Sequence, residues 1–409
     1  MKWPDGWTLS TIGETCEVVN GGTPKTSVAS YWGGPHQWIT PAEMGRRNSP
    51  YIEVTARSVT SAGLQNSSAR LLPPDSVILS SRAPIGHLAI NTVPMATNQG
   101  CKGLVPGPRV ACKFLYHYLS SIVETLDGLG TGATFRELSG SKLKEVGLPL
   151  PPLPEQRRIV AILDEAFEAI AKAKANTERN LENAREAFEA ERESIFDHGS
   201  ARWRWRPLGE IGSTQTGSTP PSSQPDSYGD FLPFIKPGDF RLDGGLDYEN
   251  SGLSEHGAAG ARIVPPGSVL MVCIGATIGK AGFTDRRVAT NQQINAWTPM
   301  AGALAKFIYY QMTTVSFQAR VRLNSGQATL PIINKGKWSQ LAVLLPDTLE
   351  EQVAATRRLD RIQLETSRLT SPYEQKLTAL DELKQSLLHQ AFTGALTSKS
   401  TDQQLQAVA

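Results

Sequence analysis

The residues most able to do chemistry in this chain are cations and hydroxyls on turn-like segments. In the first part these are Thr23, Lys25, Arg46, Arg47, Ser80, Ser81, Arg82 and Lys102. In the second they are Thr219, Lys236, Arg241, Arg286, Arg287, Lys335 and Lys337. Lys, Arg, Ser, Thr and backbone amides hold phosphates, whereas Arg, Asn and Gln read base edges in the major groove, so the set suits contact with nucleic acid. Any one of these cations is equally readily an ordinary surface charge. Ser80, Ser81 and Arg82 stand at a predicted turn and are the better placed, Arg82 above all. Thr23 and Thr219 each follow Gly or Ser and precede Pro, a pattern that could bind phosphate but that a turn closing the first strand explains as well. Trp203-Arg204-Trp205-Arg206 mixes cations with aromatics, yet it reads better as the packed start of a second globule.

Other chemistries find little footing. The four cysteines, Cys16, Cys101, Cys112 and Cys273, form no CxxC pair and have no histidine at zinc-ligand spacing, which leaves buried reduced thiols and no metal site. An adenine methyltransferase needs an Asn-Pro-Pro-Tyr-like loop, and Leu72-Pro73-Pro74-Asp75 and Val264-Pro265-Pro266-Gly267 lack its amide and its aromatic. Gly128-Leu129-Gly130-Thr131-Gly132 lacks the strand-Gly-helix context of a phosphate cradle. Gly275-Ala276-Thr277-Ile278-Gly279-Lys280-Ala281 misses a P-loop by one spacer and by the hydroxyl after Lys. Both read as turns. No apolar run approaches the roughly 20 residues of a membrane span, and Met1 to Ser10 does not resemble a leader, so a cytoplasmic protein is expected.

The elements that must position the candidate residues are written twice. Gly22-Thr23-Pro24 returns as Ser218-Thr219-Pro220, and Trp38-Ile39-Thr40-Pro41 as Phe234-Ile235-Lys236-Pro237, both 196 residues later. Ala96-Thr97-Asn98-Gln99 returns as Ala289-Thr290-Asn291-Gln292 after 193 residues. Leu72 to Val77, Leu150-Pro151, Glu155-Gln156 and Leu163-Asp164 recur in the same order as Val264 to Val269, Leu345-Pro346, Glu351-Gln352 and Leu359-Asp360. Chance would not hold the offset so constant, so the chain is a duplication. Asn98-Gln99 and Asn291-Gln292 could grip adenine, but residues common to both copies cannot easily specify two sequences, and a scaffold role is favoured.

Each copy has a mixed part and a helical part. Ser76 to Ser80 and Ile85 to Ile90 read as strand, turn, strand, repeated by Val269 to Ile274 and Gly279 to Phe283. Lys113 to Glu124 and Lys306 to Ser316 have helical spacing. After the prolines of 149–154 no Gly or Pro occurs until Gly199, and Ile159, Leu163, Ala166, Ile170, Ala173, Thr177, Ala184, Phe188 and Ile195 keep a spacing of three and four. This predicts a rod of about 65 Å with a seam for a partner helix. The second rod, about Thr348 to Leu396, carries Leu359, Ile362, Leu369, Tyr373, Leu380, Leu383 and Leu387 on its stripe, and Pro372 should kink or restart it.

Net charge is only +2, but it is distributed as +3 over 1–152, −4 over 153–198, +5 over 199–346 and −2 over 347–409. Two basic globules alternate with two acidic rods. The expected fold is therefore α+β: two similar globular domains, 1–152 and 199–346, joined by two long helices, 153–198 and 347–396. The helices pack as an antiparallel coiled coil with an internal pseudo-twofold, and a flexible tail follows at 397–409. Such a duplication can set two readers on separate stretches of duplex DNA, as a dimer does on its half-sites, while leaving each free to diverge.

The residues also resemble a family. Gly22-Thr23-Pro24, Ala96-Thr97-Asn98-Gln99, Leu148 to Gln156 leading into a long helix, and the closing Lys384 to Gly394 are similar, in order and mostly doubled, to type I restriction-modification specificity subunits over essentially the whole chain. The resemblance implies two target-recognition domains, each reading half of a bipartite DNA target. It also implies helices that dock two methyltransferase subunits and an assembly joined by endonuclease subunits. S-adenosylmethionine would then be bound by the methyltransferase partners, with no cofactor and no catalysis in this chain. Leu345-Pro346-Asp347-Thr348-Leu349 departs from the proline-rich hinge of the first copy. A coiled-coil assembly adaptor that binds no DNA is the main alternative, and a stand-alone DNA methyltransferase is the weaker one.

Overall fold

The computed structural model describes residues 4–47, 49–82, 84–132, 136–197, 203–221, 223–241, 243–326 and 330–397. The chain forms two units, one drawn from 1–177 and 376–409, the other from 178–375.

In the first unit the apolar run Ser76–Ser81 is buried at all six positions and becomes the central strand of a five-stranded sheet. It lies between Cys101–Pro106 and Ile85–Asn91, antiparallel to both, with Cys16–Asn20 and Tyr51–Ile52 outside them. A three-stranded sheet sets Trp32–Ile39 between Arg57–Val59 and Met95–Thr97. Thr8–Thr11 pairs with Gly147–Leu150 at the base. The second unit repeats this plan. Ser268–Val272 lies between Ile294–Pro299 and Ala281–Thr284 in a four-stranded sheet, Tyr228–Ile235 between Gly252–Leu253 and Ala289–Thr290, and Arg204–Pro207 pairs with Ala342–Leu345. The α+β expectation holds in both copies.

Turn chemistry repeats with the sheets. Asp75 precedes the central strand at φ 61, and its counterpart Gly267 has φ 75. The left-handed region is open to glycine and tolerated by aspartate. The strand expected over Gly279 to Phe283 begins later, at Ala281, because Gly275 and Gly279 take φ 103 and 93 in the preceding turn. The helix expected over Lys306 to Ser316 is two helices, Ala305–Met312 and Val315–Asn324. Thr314 separates them by accepting a hydrogen bond from the Phe317 amide at 3.2 Å as the cap of the second. The first copy divides similarly into Cys112–Ser121 and Val123–Gly128.

The long helices are Leu153–Asp197 and Leu349–Thr393, each of 45 residues. In the first unit Lys174 pairs with Asp381, and the Thr397 hydroxyl bonds to Glu155. Later residues of one helix thus meet earlier ones of the other, so the segments run antiparallel. In the second unit Arg185 meets Glu374 at 2.9 Å and Glu191 meets Arg358, again antiparallel. The helix runs through Pro372 from Leu349 to Thr393, so the restart expected there does not occur. Pro372 and Arg368, whose carbonyl the proline leaves without a ladder partner, are exposed, so water can replace the missing bond. Ile159, Leu163, Ile170 and Thr177 are buried as the seam requires, joined by Leu181 and Phe196. Leu369 and Leu383, placed on the stripe of the second helix by their spacing, are 56% and 46% exposed. The end of the first helix near Gly199 and the tail beyond Thr397 lie outside the described residues.

Each core is closed by a phenylalanine from the end of a long helix. In the first unit Phe392 packs on Phe114 and Tyr118, with ring centroids 5.3 and 5.2 Å apart, beside Ile159 and Leu163. In the second, Phe196 packs on Phe307 at 5.3 Å, beside Leu359. The helix that closes a globule is therefore not the helix that leaves it. The Phe392 helix is capped by Gly394 at φ 80, where an added Cβ would meet Pro4 at 2.1 Å.

Candidate nucleic-acid interface

The two repeated polar motifs meet in space. The Thr23 hydroxyl bonds to the Gln99 side chain, and Thr219 bonds to Gln292 in the same way. Asn98 and Asn291 each accept from a backbone amide two residues on, Gly100 at 2.9 Å and Gln293 at 3.1 Å. These side chains therefore tie a turn to the segment that follows Cys16–Asn20 in the first unit and Gly212–Thr216 in the second, and build the frame of the surface.

Around this turn the first unit gathers charge. Arg82 and Lys102 approach the two oxygens of Glu137 at 3.7 and 3.8 Å, and Arg82 and Glu137 face each other in an isolated β-bridge. Lys102 is 7% exposed, and burial holds its ammonium below the usual lysine range, opposed by Glu137. Gly100 packs so closely that an added Cβ would lie 3.3 Å from Arg82 Nε. Ser80 and Ser81, by contrast, leave the candidate surface: both are 0% exposed. Ser80 accepts from the His87 amide and donates to the Pro84 carbonyl, each at 2.8 Å, which spends its hydroxyl inside the sheet. Ser81 Oγ is buried and has no partner among the described residues. The strand runs one residue further than its pattern suggested, and it carries both serines inward.

The remaining cations are spread over each unit. Lys25 and Arg46 are exposed; Arg47 is held by Glu43 at 2.8 Å on the helix Pro41–Met44 and donates to the Val54 carbonyl. In the second unit Lys236 is exposed and donates to Ser251 at 2.9 Å, beneath which Phe234 offers its ring 5.6 Å away. Arg241 and Arg287 are exposed, and Arg286 lies over Tyr248 at 4.2 Å. Lys335 and Lys337 are exposed on the short helix Lys335–Ser339, capped by Asn334 and anchored by the buried Trp338. Sequence reasoning missed their counterparts Lys142 and Lys144 on the helix Gly140–Glu145, which Ser139 caps and Leu143 anchors. Trp203 packs on Phe307 at 5.7 Å, as expected of the start of the globule, whereas Trp205 is 57% exposed under Arg320.

The globules are bolted to the helices by a repeated set of acceptors. Gln156, fully buried, accepts from the Ala111 amide and donates to the Arg109 and Pro151 carbonyls, each at 2.8 Å. Its counterpart Gln352 accepts from Leu304 and donates to Gly302 at the same distance. About two helical turns further, Asp164 takes Lys113 at 2.5 Å and His117 at 3.1 Å, while Asp360 takes Lys306 at 2.8 Å and the Tyr310 hydroxyl at 2.6 Å.

Among the described residues no group of His, Cys, Asp and Glu could hold a metal ion. Cys16, Cys101 and Cys273 are buried thiols, and burial pushes Cys101, Cys112 and Cys273 up to about 12. No helix among the described residues is long and apolar enough to cross a membrane.

Comparison with known proteins agrees with the doubled plan. The model of the type I restriction modification DNA specificity domain matches residues 4–182 and again 201–379. The chain belongs to this family. It is 31% identical over 251 residues to the type I restriction enzyme MjaIX specificity subunit of Methanocaldococcus jannaschii, covering 58% of each chain. It is 28% identical over 193 residues to the EcoR124I/EcoR124II specificity subunit of Escherichia coli, covering 46% of this chain and 47% of that one. The chain thus spans about half to three fifths of the length of these relatives. A chain from a solved type I restriction-modification system superposes with a TM-score of 0.77 at 21% identity, covering 97% of this chain and all of that one. The HsdS subunit of Thermoanaerobacter tengcongensis follows at 0.54, with 21% identity and 97% and 99% covered. At that identity these two likenesses speak for the fold.

Proposed function

We propose that the protein is the DNA-reading specificity subunit of a type I restriction-modification complex and has no catalytic role of its own. Each globule reads one half of a bipartite duplex target, and the paired helices set the spacing and dock two methyltransferase subunits. S-adenosylmethionine belongs to those partners, restriction subunits join the assembly, and the complex works in the cytoplasm. Of the sequence-derived set, Thr23, Lys25, Arg46, Arg47, Arg82 and Lys102, with Thr219, Lys236, Arg241, Arg286, Arg287, Lys335 and Lys337, remain as DNA contacts; Ser80 and Ser81 do not.

The observation that carries this reading is the double match to the specificity-domain family on two units that share a frame and differ in surface chemistry. Binding of the full chain to duplex DNA should fall about a thousandfold between about 50 and 200 mM salt if six phosphates are engaged. An assembly adaptor would show no DNA affinity to lose. Exchange of residues 1–150 with those of a relative should change one half of the recognised site. A change in both halves would end the modular reading, and methylated product from the chain alone would end the non-catalytic one.

A further inference from the structure

One place in the fold is built identically in the two units and carries opposite chemistry. An isolated β-bridge joins Arg82 to Glu137 in the first unit and Ile274 to Ile332 in the second. In each, the bridge leaves the end of the buried central strand next to the Gln99 or Gln292 turn: the Ser81 amide donates to Gly100, and an added Cβ on Gly275 would lie 3.8 Å from Gln293. The neighbouring strand brings Lys102 to this place in the first unit, opposite Asn20 in register, and Asn295 in the second, opposite Thr216.

The functional groups differ completely. In the first unit two cations face one carboxylate at 3.7 and 3.8 Å. That is longer than the roughly 2.7–2.9 Å of a charge-assisted hydrogen bond, so their donors are not spent on Glu137. Lys102 is almost wholly enclosed, whereas Glu137 and Arg82 keep 43% and 34% of their side chains exposed. Arg82 and Glu137 offer donors and an acceptor together at the surface, with Lys102 enclosed behind them. In the second unit the charges are gone: Asn295 is buried and accepts from Thr216 at 2.8 Å. What reaches solvent there is Leu330, 53% exposed, and Ile332, 46% exposed, beside the half-buried Ile274. Exposed aliphatic side chains on a rigid bridge, matched by a charged bridge in the sister copy, point to a ligand that differs between the two.

We propose that this shared place is a base-reading position: Arg82 and Glu137, backed by the enclosed Lys102, take a G·C pair in the first unit, and Ile274, Leu330 and Ile332 take the 5-methyl group of thymine in the second. Guanine shows two acceptors in the major groove and cytosine a donor, the complement of one forked guanidinium and a carboxylate, whereas only thymine offers an apolar group. The inference rests on the DNA-reading function proposed above.

The test is selection of binding sites from random duplexes by the full chain, with and without its methyltransferase subunits, followed by affinity measurements on the selected site. Uracil in place of thymine should weaken the unaltered protein about fourfold at one position in the second unit's half, the worth of one buried methyl. Ile332→Ala should abolish that sensitivity. Replacing guanine by 7-deazaguanine should weaken binding at one position in the first unit's half, and Arg82→Ala should relax its preference for G·C by roughly tenfold or more. The base analogues leave the protein untouched, so misfolding cannot mimic their effect. Selective binding with no response to either analogue would overturn the inference alone. A uniform loss of affinity in Arg82→Ala, with preference intact, would make Arg82 a phosphate ligand and also overturn it. Absence of any selective DNA binding would remove the function on which it stands.

Discussion

The two helix–globule junctions use the same acceptors and the same lysine donor, and differ in the second side chain that reaches the carboxylate. Gln156 and Asp164 in one unit, and Gln352 and Asp360 in the other, hold equivalent backbone and side-chain groups. Beside the lysine, the second partner on the globule is His117 in the first unit and Tyr310 in the second. What the duplication kept is the geometry of the acceptors on the rod; the second donor was free to change so long as an N–H or O–H arrived at the same carboxylate. The change has an electrostatic consequence. Burial holds His117 below the ordinary histidine range, opposed by its bond to Asp164 and reinforced by Lys113 and Lys384, whereas burial and Asp360 push the Tyr310 phenol far above any physiological pH. Of the two donors, only His117 can change charge in the acid range below its ordinary value of about 6.5.

The strongest way to break the equivalence is at the closing phenylalanines. Phe392→Ala should cost the first unit about 3–5 kcal/mol and leave the second intact, and Phe196→Ala should do the reverse. Hydrogen exchange resolved by unit measures both, and a loss shared equally by the two units would contradict the separate closures. Next come the buried amides. Gln156→Ala strands three backbone groups and Gln352→Ala two, at about 1–3 kcal/mol for each group left unsatisfied, so the first should denature at lower urea than the second.

The titrating junction gives a smaller effect. His117 binds its proton less readily when folded than when unfolded, so its neutral form favours the native state. That contribution is complete above the unfolded value of about 6.5 and declines as pH falls below it, by at most roughly 1.4 kcal/mol per pH unit. The first unit should therefore lose stability more than the second as pH falls below about 6.5, and His117→Tyr should level the two; parallel pH profiles in the unaltered protein would refute the difference. The least effect is expected at the turn before the central strand, where Asp75→Gly, copying Gly267, should relieve up to about 1 kcal/mol of left-handed strain, seen as a small rise in melting temperature.

Much of this architecture was legible because duplicated residues sit at one offset. Glu155-Gln156 and Leu163-Asp164 stand out as repeats, although nothing in their spacing says that a glutamine amide reaches across to Arg109 and Pro151. The break at Thr314 was readable in principle, since a threonine ahead of Val315 is a natural cap. The misplacement of Ser80 and Ser81 has a simple cause: a strand buried on both faces has no polar alternation, so two serines at its end look like the start of a turn. Glu137 was invisible because it reaches Arg82 through an isolated bridge rather than a named strand. Arg82 and Lys102 could be named from the sequence, but their carboxylate partner could not.

The phenylalanine that closes the first globule is made long after the rings it packs on. As the ribosome moves on, Phe114 and Tyr118 must wait for Phe392, so the nascent N-terminal half keeps an aromatic cleft open to water through the synthesis of everything that follows. The second globule has no such wait, since Phe196 emerges before the pocket it fills. The first globule therefore depends on a helix made far later to cover its aromatic cleft, and chaperone demand during synthesis should fall on it rather than on the second.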